Sequence, residues 1–282
     1  MIVWLDGALL DVREARISPL DRGLVVGDGV FETLRVYGGV PFAWSRHLAR
    51  LAQSAAGLGL ALPDAGALRE AAGAVLAANE LTEARLRLTV TAGEGPPGSS
   101  RSASKPTAFI VATEFEAAPA ITNVAIVPWT RNEHSATAGL KTISYAANVR
   151  ALAYAQARGC GEALFANTAG NLCEATGSNV IVVHDGVART PPSSAGCLLG
   201  VTRGLLLELA PGCGVDAREE DVPMSDLGSA SELILTSTIR EVQPVAALAR
   251  DGHGESRLTA PGPVARCLAN AFAELVARDT DP

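Results

Sequence analysis

The stretch GLKTISYAANVRALAYAQARGCGEALFANTAGNLCEATGSN, from Gly139 to Asn179, contains one of the rarest side chains of this sequence. That side chain is Lys141. Because Lys105 is the only other lysine, arginine supplies nearly all of the positive charge. A lysine beside apolar neighbours can lose its proton and attack a carbonyl carbon to form a Schiff base, which an arginine cannot do. Lys141 is therefore a candidate nucleophile.

Glu174 lies further along the same stretch, in a small and nearly uncharged segment that ends at Gly177-Ser178-Asn179. A carboxylate in such a place can stabilise a buried cationic nitrogen. The structural alternative is that Lys141 is a surface charge at the start of a helix and that Glu174 lies at the edge of a hairpin. Each residue taken singly favours that alternative, so the functional hypothesis depends on the groups that accompany them.

The size and charge of the chain argue against several classes of protein. Its 282 residues suit one large domain or two of ordinary size, and we favour two. The formal net charge of −7 argues against a nucleic-acid partner, which would need a dense basic face. The start of the chain carries acids where a signal peptide has basic residues, and no apolar run reaches about 18 residues. We therefore expect a cytoplasmic protein that does not enter a membrane.

The cysteines and histidines form no recognisable framework. The five cysteines are an odd set without a C-x-x-C pair, and the four histidines lie far apart in the sequence, at His47, His134, His184 and His253. We predict neither a disulfide framework nor a short-spaced metal site.

The first half of the chain predicts an α+β unit with antiparallel strands. Two strands flank an Asp6-Gly7 turn, and Ser45 can cap a helix whose polar face carries Arg46, His47 and Arg50. Further strands are predicted at 30–37, 40–44, 86–90 and 107–113, and a second helix at 66–79.

A glycine-containing loop and a linker follow. Gly93 to Gly98 matches G-x-G-x-x-G after a strand. Its two prolines and the polar, non-periodic residues from Ser99 to Lys105 argue against the glycine-to-helix turn of a dinucleotide site, and we predict a mobile loop. Residues 114–121 are typical of a linker, which predicts one domain over 1–115 and a second over 122–282.

Two segments of the second half can bind an anion. The loop from Gly196 to Gly200 opens a helix that reaches Leu209, and backbone amides at such a helix start can hold an anion. An apolar strand from Glu232 to Ser237 leads into Thr238-Ile239-Arg240, which adds hydroxyl donors. Around them the pattern predicts a strand at 124–128, a helix from 141 through 157, hairpins at 163–174 and 180–190, and a final helix at 263–277.

Together these parts are a lysine that can form a Schiff base, an acid, two anion-binding segments and the cation Arg50. Pyridoxal phosphate has an aldehyde, a pyridine nitrogen and a phosphate, and it needs these three kinds of partner. Six ordered motifs resemble those of the class IV, or fold-type IV, pyridoxal-phosphate enzymes over nearly the full chain. They are DRGLVVGDGVFETLR (Asp21 to Arg35), HLARL (His47 to Leu51), GLKTISYAANV (Gly139 to Val149), EATGSNV (Glu174 to Val180), GVTR (Gly200 to Arg203) and TSTIREVQPV (Thr236 to Val245).

The resemblance implies a two-domain α+β fold, with a smaller N-terminal α/β domain and a larger C-terminal domain with a β-barrel-like core. It implies a homodimer that binds pyridoxal 5'-phosphate and an amino substrate. Lys141 would form the Schiff base, Glu174 would bind the pyridine nitrogen and Arg50 the phosphate. The remaining cofactor-binding positions that it implies are Val201, Thr202, Thr238 and Ile239 at the phosphate and Tyr145 near the phenolic oxygen.

The reaction differs within this family, which includes aminodeoxychorismate lyases and branched-chain, D-amino-acid and R-selective amine aminotransferases. The segment GDGVFETLRV is more similar to the lyases or the D-amino-acid enzymes, because branched-chain enzymes typically have glycine at the position of Thr33. PWTRNEHSATAGLKT (Pro128 to Thr142) and LTSTIREVQPV (Leu235 to Val245) are also similar to lyase sequences. We therefore expect a 4-amino-4-deoxychorismate lyase that forms 4-aminobenzoate and pyruvate, with an aminotransferase as the alternative.

In the lyase hypothesis, Thr33 positions the substrate or assists proton delivery, and Arg101 is a candidate anchor for a substrate carboxylate. The alternative from another class is a cofactor-free protein that keeps the fold as an oligomeric scaffold. The presence of Lys141, Glu174 and Arg50 together argues against it.

Overall fold

The computed structural model describes residues 1–101, 104–250 and 254–282. The chain forms two compact units, of which the first comprises Met1–Glu116, Leu140–Tyr145 and Asp279–Pro282, and the second Ala117–Gly139 and Ala146–Arg278. The domain ranges predicted from the sequence, 1–115 and 122–282, assign the two short returning segments to the second domain. In the structure Thr142 pairs with Val30, and Ser45 bonds to Asp281, so both segments pack with the first unit.

The first unit is built on a six-stranded antiparallel sheet. Its strands are β1 (Ile2–Leu5), β2 (Ala8–Asp11), β3 (Gly29–Tyr37), β4 (Val40–Pro41), β5 (Ala84–Thr91) and β6 (Thr107–Glu114), in the order β2-β1-β6-β5-β3-β4. Its helices are α1 (Arg22–Val26), α2 (Trp44–Leu58) and α3 (Ala65–Ala78). The antiparallel α+β prediction for this part of the chain is confirmed.

Strands β3 and β5 present different chemistry on the two faces of this sheet. Val30, Leu34, Leu86 and Leu88 are buried in a core that also contains Leu51 of α2, along with other residues of α2 and α3. Because successive side chains of a strand point to opposite faces, Phe31, Thr33 and Arg87 lie on the other face. The sheet therefore separates an apolar core from a face that carries a hydroxyl and a guanidinium.

The start of α2 differs from the prediction. The expected cap at Ser45 is wrong, since α2 begins at Trp44 and its N-cap is Ala43, which makes no side-chain capping bond. Ser45 lies in the first turn, where its Oγ donates to Oδ2 of Asp281 over 2.6 Å. The predicted polar face is also wrong for His47, which is buried because Glu32 of β3 lies against it.

The second unit contains a nine-stranded mixed sheet. Its strands are β7 (Thr122–Arg131), β8 (Glu162–Asn167), β9 (Leu172–Ala175), β10 (Asn179–His184), β11 (Val187–Thr190), β12 (Asp216–Glu219), β13 (Glu232–Ser237), β14 (Glu241–Arg250) and β15 (Gly254–Arg257). The order is β12-β11-β10-β13-β14-β7-β8-β9, with β15 paired to β14. The helices are α4 (Ala146–Gln156), α5 (Val201–Leu209) and α6 (Pro263–Arg278), and short 3₁₀ turns lie at Ser193–Ala195, Ala210–Cys213 and Asp226–Gly228.

Both predicted hairpins of this unit and the start of α5 are confirmed, but the helix predicted from Lys141 is not. The helix begins at Ala146, and Lys141 lies in an extended segment instead. The cause is long-range pairing, because Phe31 N donates to Lys141 O and Ile143 N donates to Gly29 O. A helix there would leave these β3 groups without those partners.

Other expectations concern loops, membranes and metals. Outside residues 102 and 103, which are not described, the segment from Gly93 to Lys105 contains no helix, in agreement with rejection of a dinucleotide site. Across the described ranges, no helix is both long and apolar enough to span a bilayer. The described residues also contain no cluster of three or more His, Cys, Asp or Glu suited to a metal, and His253 lies outside them.

Candidate active site

Lys141 is held by its backbone at the edge of β3. Its amide N donates to Oγ of Ser54 on α2 over 3.0 Å, and its carbonyl accepts from Phe31 N over 3.1 Å. Thr142 pairs with Val30, so Lys141 stands opposite Phe31 in an antiparallel register. Cross-strand neighbours share a face of the sheet, which places the lysine side chain beside the Phe31 ring.

The Phe31 ring has two cations and a second aromatic ring around it. Nζ of Lys141 lies 4.4 Å and Cζ of Arg87 3.7 Å from the ring centroid. The Tyr145 ring meets it edge to face, with the centroids 5.2 Å apart. Cation–π attraction stabilises both charges beside the ring. The structure thus brings the predicted site residues Lys141 and Tyr145 together.

Arg87 is a residue that the sequence analysis did not select. Burial lowers the pKa of its guanidinium, and Tyr145 partly offsets this effect. A desolvated guanidinium favours a carboxylate or phosphate partner, which it can bind through two parallel hydrogen bonds. The signal in the sequence was its position in Leu86-Arg87-Leu88, where alternation sends the arginine to the face opposite the core.

Thr33 lies on β3 directly opposite Arg87 of β5. It is two residues from Phe31, so the two side chains share a face of the sheet, and Thr33 is 9% exposed. A hydroxyl in that position can donate to or accept from a polar group bound near Lys141 and Arg87.

Arg50 of α2 lies against the core-facing side of β3, where it contacts Glu32. Its Nε and Nη2 donate to the two carboxylate oxygens of Glu32 over 2.7 and 2.8 Å, and His47 Nδ1 lies 2.7 Å from the same carboxylate. Burial is the largest single effect and raises the pKa of Glu32, but the charge of Arg50 and the hydrogen bonds from Arg50 and His47 together outweigh it and lower the pKa to about 2. Glu32 therefore stays ionised and fixes the direction of Arg50.

His47 connects this pair electrostatically to Lys141. Burial lowers the pKa of His47, Glu32 opposes that effect, and the charges of Arg50 and Lys141 lower the pKa further. The ring is therefore neutral at pH 7, and its Nδ1–H donates to Glu32. Sequence reasoning selected neither Glu32 nor His47, although Glu32 is the one acid at a core-facing position of β3.

Arg101 is engaged elsewhere in the first unit. Its Nε donates to Asp28 Oδ2 over 2.8 Å, its Nη2 bonds to Oδ1 of the same residue, and its Nη1 donates to the Leu58 carbonyl. Hydrogen bonding to Arg101 is the largest of the effects that hold the pKa of Asp28 below its ordinary value. Arg22 also binds Asp28, so this cluster fixes the described part of the loop, and the carboxylate-anchor role of Arg101 stays a prediction.

In the second unit a backbone amide and a guanidinium approach the carboxylate of Glu174. Leu198 N donates to its Oε2 over 3.0 Å, and Nη1 of Arg131 lies 3.5 Å from its Oε1. Arg131 is itself oriented by Asn148, whose Oδ1 accepts from Nη2 over 3.0 Å. These contacts favour the ionised form of the carboxylate. A carboxylate must be ionised to pair with a cationic ring nitrogen.

The loop before α5 is tied to the same region. Asn179 Nδ2 donates to the Leu198 carbonyl over 2.7 Å, and a Cβ on Gly200 would lie 2.1 Å from Asn179 Oδ1. Gly200 is the N-cap of α5 without a side-chain cap, so Val201 and Thr202 present their amides at the helix start. Such amides are suited to an anion.

Thr238 and Ile239 lie in the turn that joins β13 to β14, where Arg240 N donates to Ser237 Oγ over 3.1 Å. Nearby in the chain, Thr236 pairs with Asn179 of β10. Among the described residues, the buried hydroxyls of Thr236 and Ser178 have no hydrogen-bond partner. Buried hydroxyls normally find partners, so these two fit a polar ligand.

The residues therefore suit pyridoxal phosphate in kind. The chain offers a lysine, a hydrogen-bonded carboxylate, a fixed guanidinium and a helix start with hydroxyl groups, as the aldehyde, ring nitrogen and phosphate require.

Comparison with known proteins defines the class. The amino-transferase class IV family matches residues 29–248, and the chain belongs to this family. It is 34% identical over 254 residues to the "Putative branched-chain-amino-acid aminotransferase" of Methanocaldococcus jannaschii, covering 87% of both chains. It is 29% identical over 289 residues to the D-alanine aminotransferase of Bacillus licheniformis, covering 99% of both.

Solved structures agree on the fold. A branched-chain amino acid aminotransferase from Escherichia coli superimposes with a TM-score of 0.89 at 27% identity, covering 97% of this chain and 94% of the other. A second enzyme of that name, solved with pyridoxamine 5'-phosphate, gives a TM-score of 0.87 at 26% identity, covering 98% and 93%. A "Putative 4-amino-4-deoxychorismate lyase" of Legionella pneumophila gives a TM-score of 0.87 at 21% identity, covering 94% and 97%, which shows the shared fold alone. The two-domain fold-type IV architecture and the pyridoxal phosphate cofactor are confirmed.

Proposed function

We propose that this class IV enzyme is a 4-amino-4-deoxychorismate lyase that releases 4-aminobenzoate and pyruvate. The observation that carries the proposal is Thr33, a nearly buried hydroxyl that lies opposite Arg87 and shares a face of the sheet with Phe31, beside Lys141. A branched-chain enzyme typically has glycine there, which would remove that hydroxyl from the substrate side of the strand.

The proposal assigns the cofactor to named residues. Lys141 holds the aldehyde carbon covalently, Glu174 binds the ring nitrogen, and Arg50 binds the phosphate. The groups proposed to complete the site are the amides and hydroxyls of Val201, Thr202, Thr238 and Ile239 at the phosphate and Tyr145 at the phenolic oxygen. Arg50 is supported by its bidentate bond to Glu32, which fixes the direction of the guanidinium.

When bound, the cofactor supplies a ring that accepts the electron pair left by removal of a proton from the substrate. Lys141, once its amine is released, takes that proton from the carbon that bears the substrate nitrogen. The Glu174 carboxylate, which accepts from Leu198 N and lies 3.5 Å from Arg131, stabilises a positive charge on its partner. Arg87 holds a substrate carboxylate beside the Phe31 ring, and Thr33 orients the enolpyruvyl group that leaves as the substrate ring becomes aromatic.

The second candidate is an aminotransferase for an amino acid. The names of the relatives support it, since those described above are a branched-chain and a D-alanine enzyme. The two reactions share the proton removal by Lys141. In the aminotransferase, Lys141 returns the proton to the cofactor carbon, and a keto acid is then needed to restore the aldehyde.

Turnover without a keto acid separates the candidates. We expect repeated release of equal amounts of pyruvate and 4-aminobenzoate from 4-amino-4-deoxychorismate with no added acceptor. Thr33→Gly should slow this release more than it weakens cofactor binding, and Thr82→Gly, an exposed threonine of the same unit, serves as the control. Rapid exchange of D-alanine, L-leucine or 1-phenylethylamine with 2-oxoglutarate or pyruvate, without pyruvate release from the chorismate derivative, would establish the aminotransferase instead.

A further inference from the structure

One face of α2 carries a stripe formed by His47, Arg50, Ser54 and Gly57, of which His47 and Ser54 are buried. Their spacing of three, four and three residues places them in one row along the helix. His47 and Arg50 contact Glu32. Ser54 and Gly57 contact the segment that contains Lys141. One end of the stripe therefore packs against β3 and the other end against residues 140 and 141.

Ser54 makes the hydrogen bond at the lysine. It is 1% exposed, and its Oγ accepts from the amide N of Lys141 over 3.0 Å. One turn further on, a Cβ on Gly57 would lie 2.8 Å from both terminal methyl carbons of Leu140. The helix thus contacts Lys141 through a hydrogen bond, and at Gly57 it packs so close to the Leu140 side chain that an added Cβ would displace it.

We propose that Ser54 is a positioning residue that fixes Lys141 relative to Arg50. The inference rests on the proposed roles of these two residues as aldehyde and phosphate ligands. Arg50 and Ser54 are four residues apart on a helix, where neighbouring side chains are separated by about 5–6 Å between Cβ atoms. Because a helix is rigid over one turn, α2 sets the distance between the two anchors of one cofactor.

The step that depends on this distance is attachment of the cofactor. The Lys141 nitrogen forms a double bond to the aldehyde carbon, and the aldehyde oxygen leaves as water with the two protons of the amine. The Ser54 hydroxyl takes no part in the exchange of atoms. It holds the lysine backbone where the nitrogen can reach a carbon whose phosphate is already fixed, so its loss affects attachment and leaves phosphate binding unchanged.

Two ligands separate these effects in titrations of the apoprotein. Pyridoxal phosphate can form the covalent bond, whereas pyridoxamine phosphate has the same ring and phosphate without an aldehyde. We expect Ser54→Ala to raise the Kd for pyridoxal phosphate by roughly 2- to 12-fold, the equivalent of one net hydrogen bond, and to leave that for pyridoxamine phosphate within about twofold. Ser54→Cys, which keeps the shape of the side chain but replaces the hydroxyl by a weak acceptor, should show the same pattern.

Two controls define the result. Ser45→Ala removes a serine hydrogen bond from the same helix, to Asp281, and should change neither Kd. Arg50→Ala should raise the Kd values of both ligands, because both carry the phosphate. The positioning role would be overturned if Ser54→Ala raised the Kd values of both ligands equally, or if it left the Kd for pyridoxal phosphate unchanged.

Borohydride trapping separates failure of this inference from failure of the proposed site. Reduction followed by peptide mapping should place the cofactor on Lys141 in the unmodified protein. If the label is on Lys141 and Ser54→Ala binds pyridoxal phosphate normally, only the role of Ser54 is refuted. If the label is on Lys105, the lysine assignment is wrong, and the role of Ser54 is refuted with it.

Discussion

The substitution Glu32→Gln tests the buried carboxylate that fixes Arg50. Burial raises the pKa of Glu32 in the folded protein, but Arg50 and His47 lower it from 4.5 to about 2. At about 1.4 kcal/mol per pKa unit, this difference corresponds to about 3 kcal/mol of stability. Because the folded pKa lies below the unfolded one, the contribution is complete above pH 4.5 and is lost as the pH falls from 4.5 toward 2.

At pH 7 we expect Glu32→Gln to lower the free energy of unfolding by about 3–5 kcal/mol, because Arg50 keeps its charge without the buried carboxylate. Urea unfolding at a series of pH values measures the gap between the variant and the unmodified protein. Between pH 7 and pH 3 the gap should narrow by about 2 kcal/mol, since only the unmodified protein has Glu32 to protonate.

Other carboxylates titrate in both proteins and cancel in this difference. Glu83→Gln is the matched control, because Glu83 pairs with Arg35 on the same sheet but is half exposed, and its removal should cost less than about 1 kcal/mol. A gap that is the same at pH 7 and pH 3 would refute the assignment of an ionised, stabilising Glu32.

Lys141→Ala should abolish turnover and leave the unfolding curve of the apoprotein intact, whereas Lys105→Ala should be nearly neutral; normal activity in Lys141→Ala contradicts the site. Glu174→Gln should retain bound cofactor but slow the reaction, with a loss in transition-state stabilisation of up to about 3–5 kcal/mol in steady-state kinetics, and unchanged kinetics would make the residue structural. Gly200→Ala should weaken cofactor binding in a titration, because its Cβ would lie 2.1 Å from Asn179 Oδ1. Gly204→Ala, with nothing within 4 Å of the added Cβ, is the control that should bind normally.

The sequence predicted those elements that local patterns define. Alternation located β3 and β5, and the segment Gly196 to Gly200 correctly marked the start of α5. The helix predicted at Lys141 was wrong, because residues 141–143 are extended through pairing with residues 29–31, more than 100 positions away. A local pattern that contains alanines after Lys141 favours a helix, and only the distant strand edge overrides it.

Arg87 shows a signal that was present in the sequence. The alternation of Leu86, Leu88 and Val90 with Arg87 and Thr89 fixes the arginine on the face opposite the core, the same face as Thr33 on the neighbouring strand. Pairing β3 with β5 depends on a connection that contains two helices, so the register was not available from either segment alone. Once the register is known, the arginine and the hydroxyl lie opposite each other.

The core side of β3 explains why the polar residues of α2 were misread. Helical periodicity identifies a polar stripe, and solvent is its usual partner. In this protein the partner is Glu32, an acid at a strand position where Val30 and Leu34 are core residues. A buried acid needs cations and donors, and a helix that offers His47 and Arg50 one turn apart supplies both. The acid at a core position of β3 therefore predicts that the basic residues of α2 face it and not solvent. The same helix then has Ser54 buried one turn later, in position to hold Lys141.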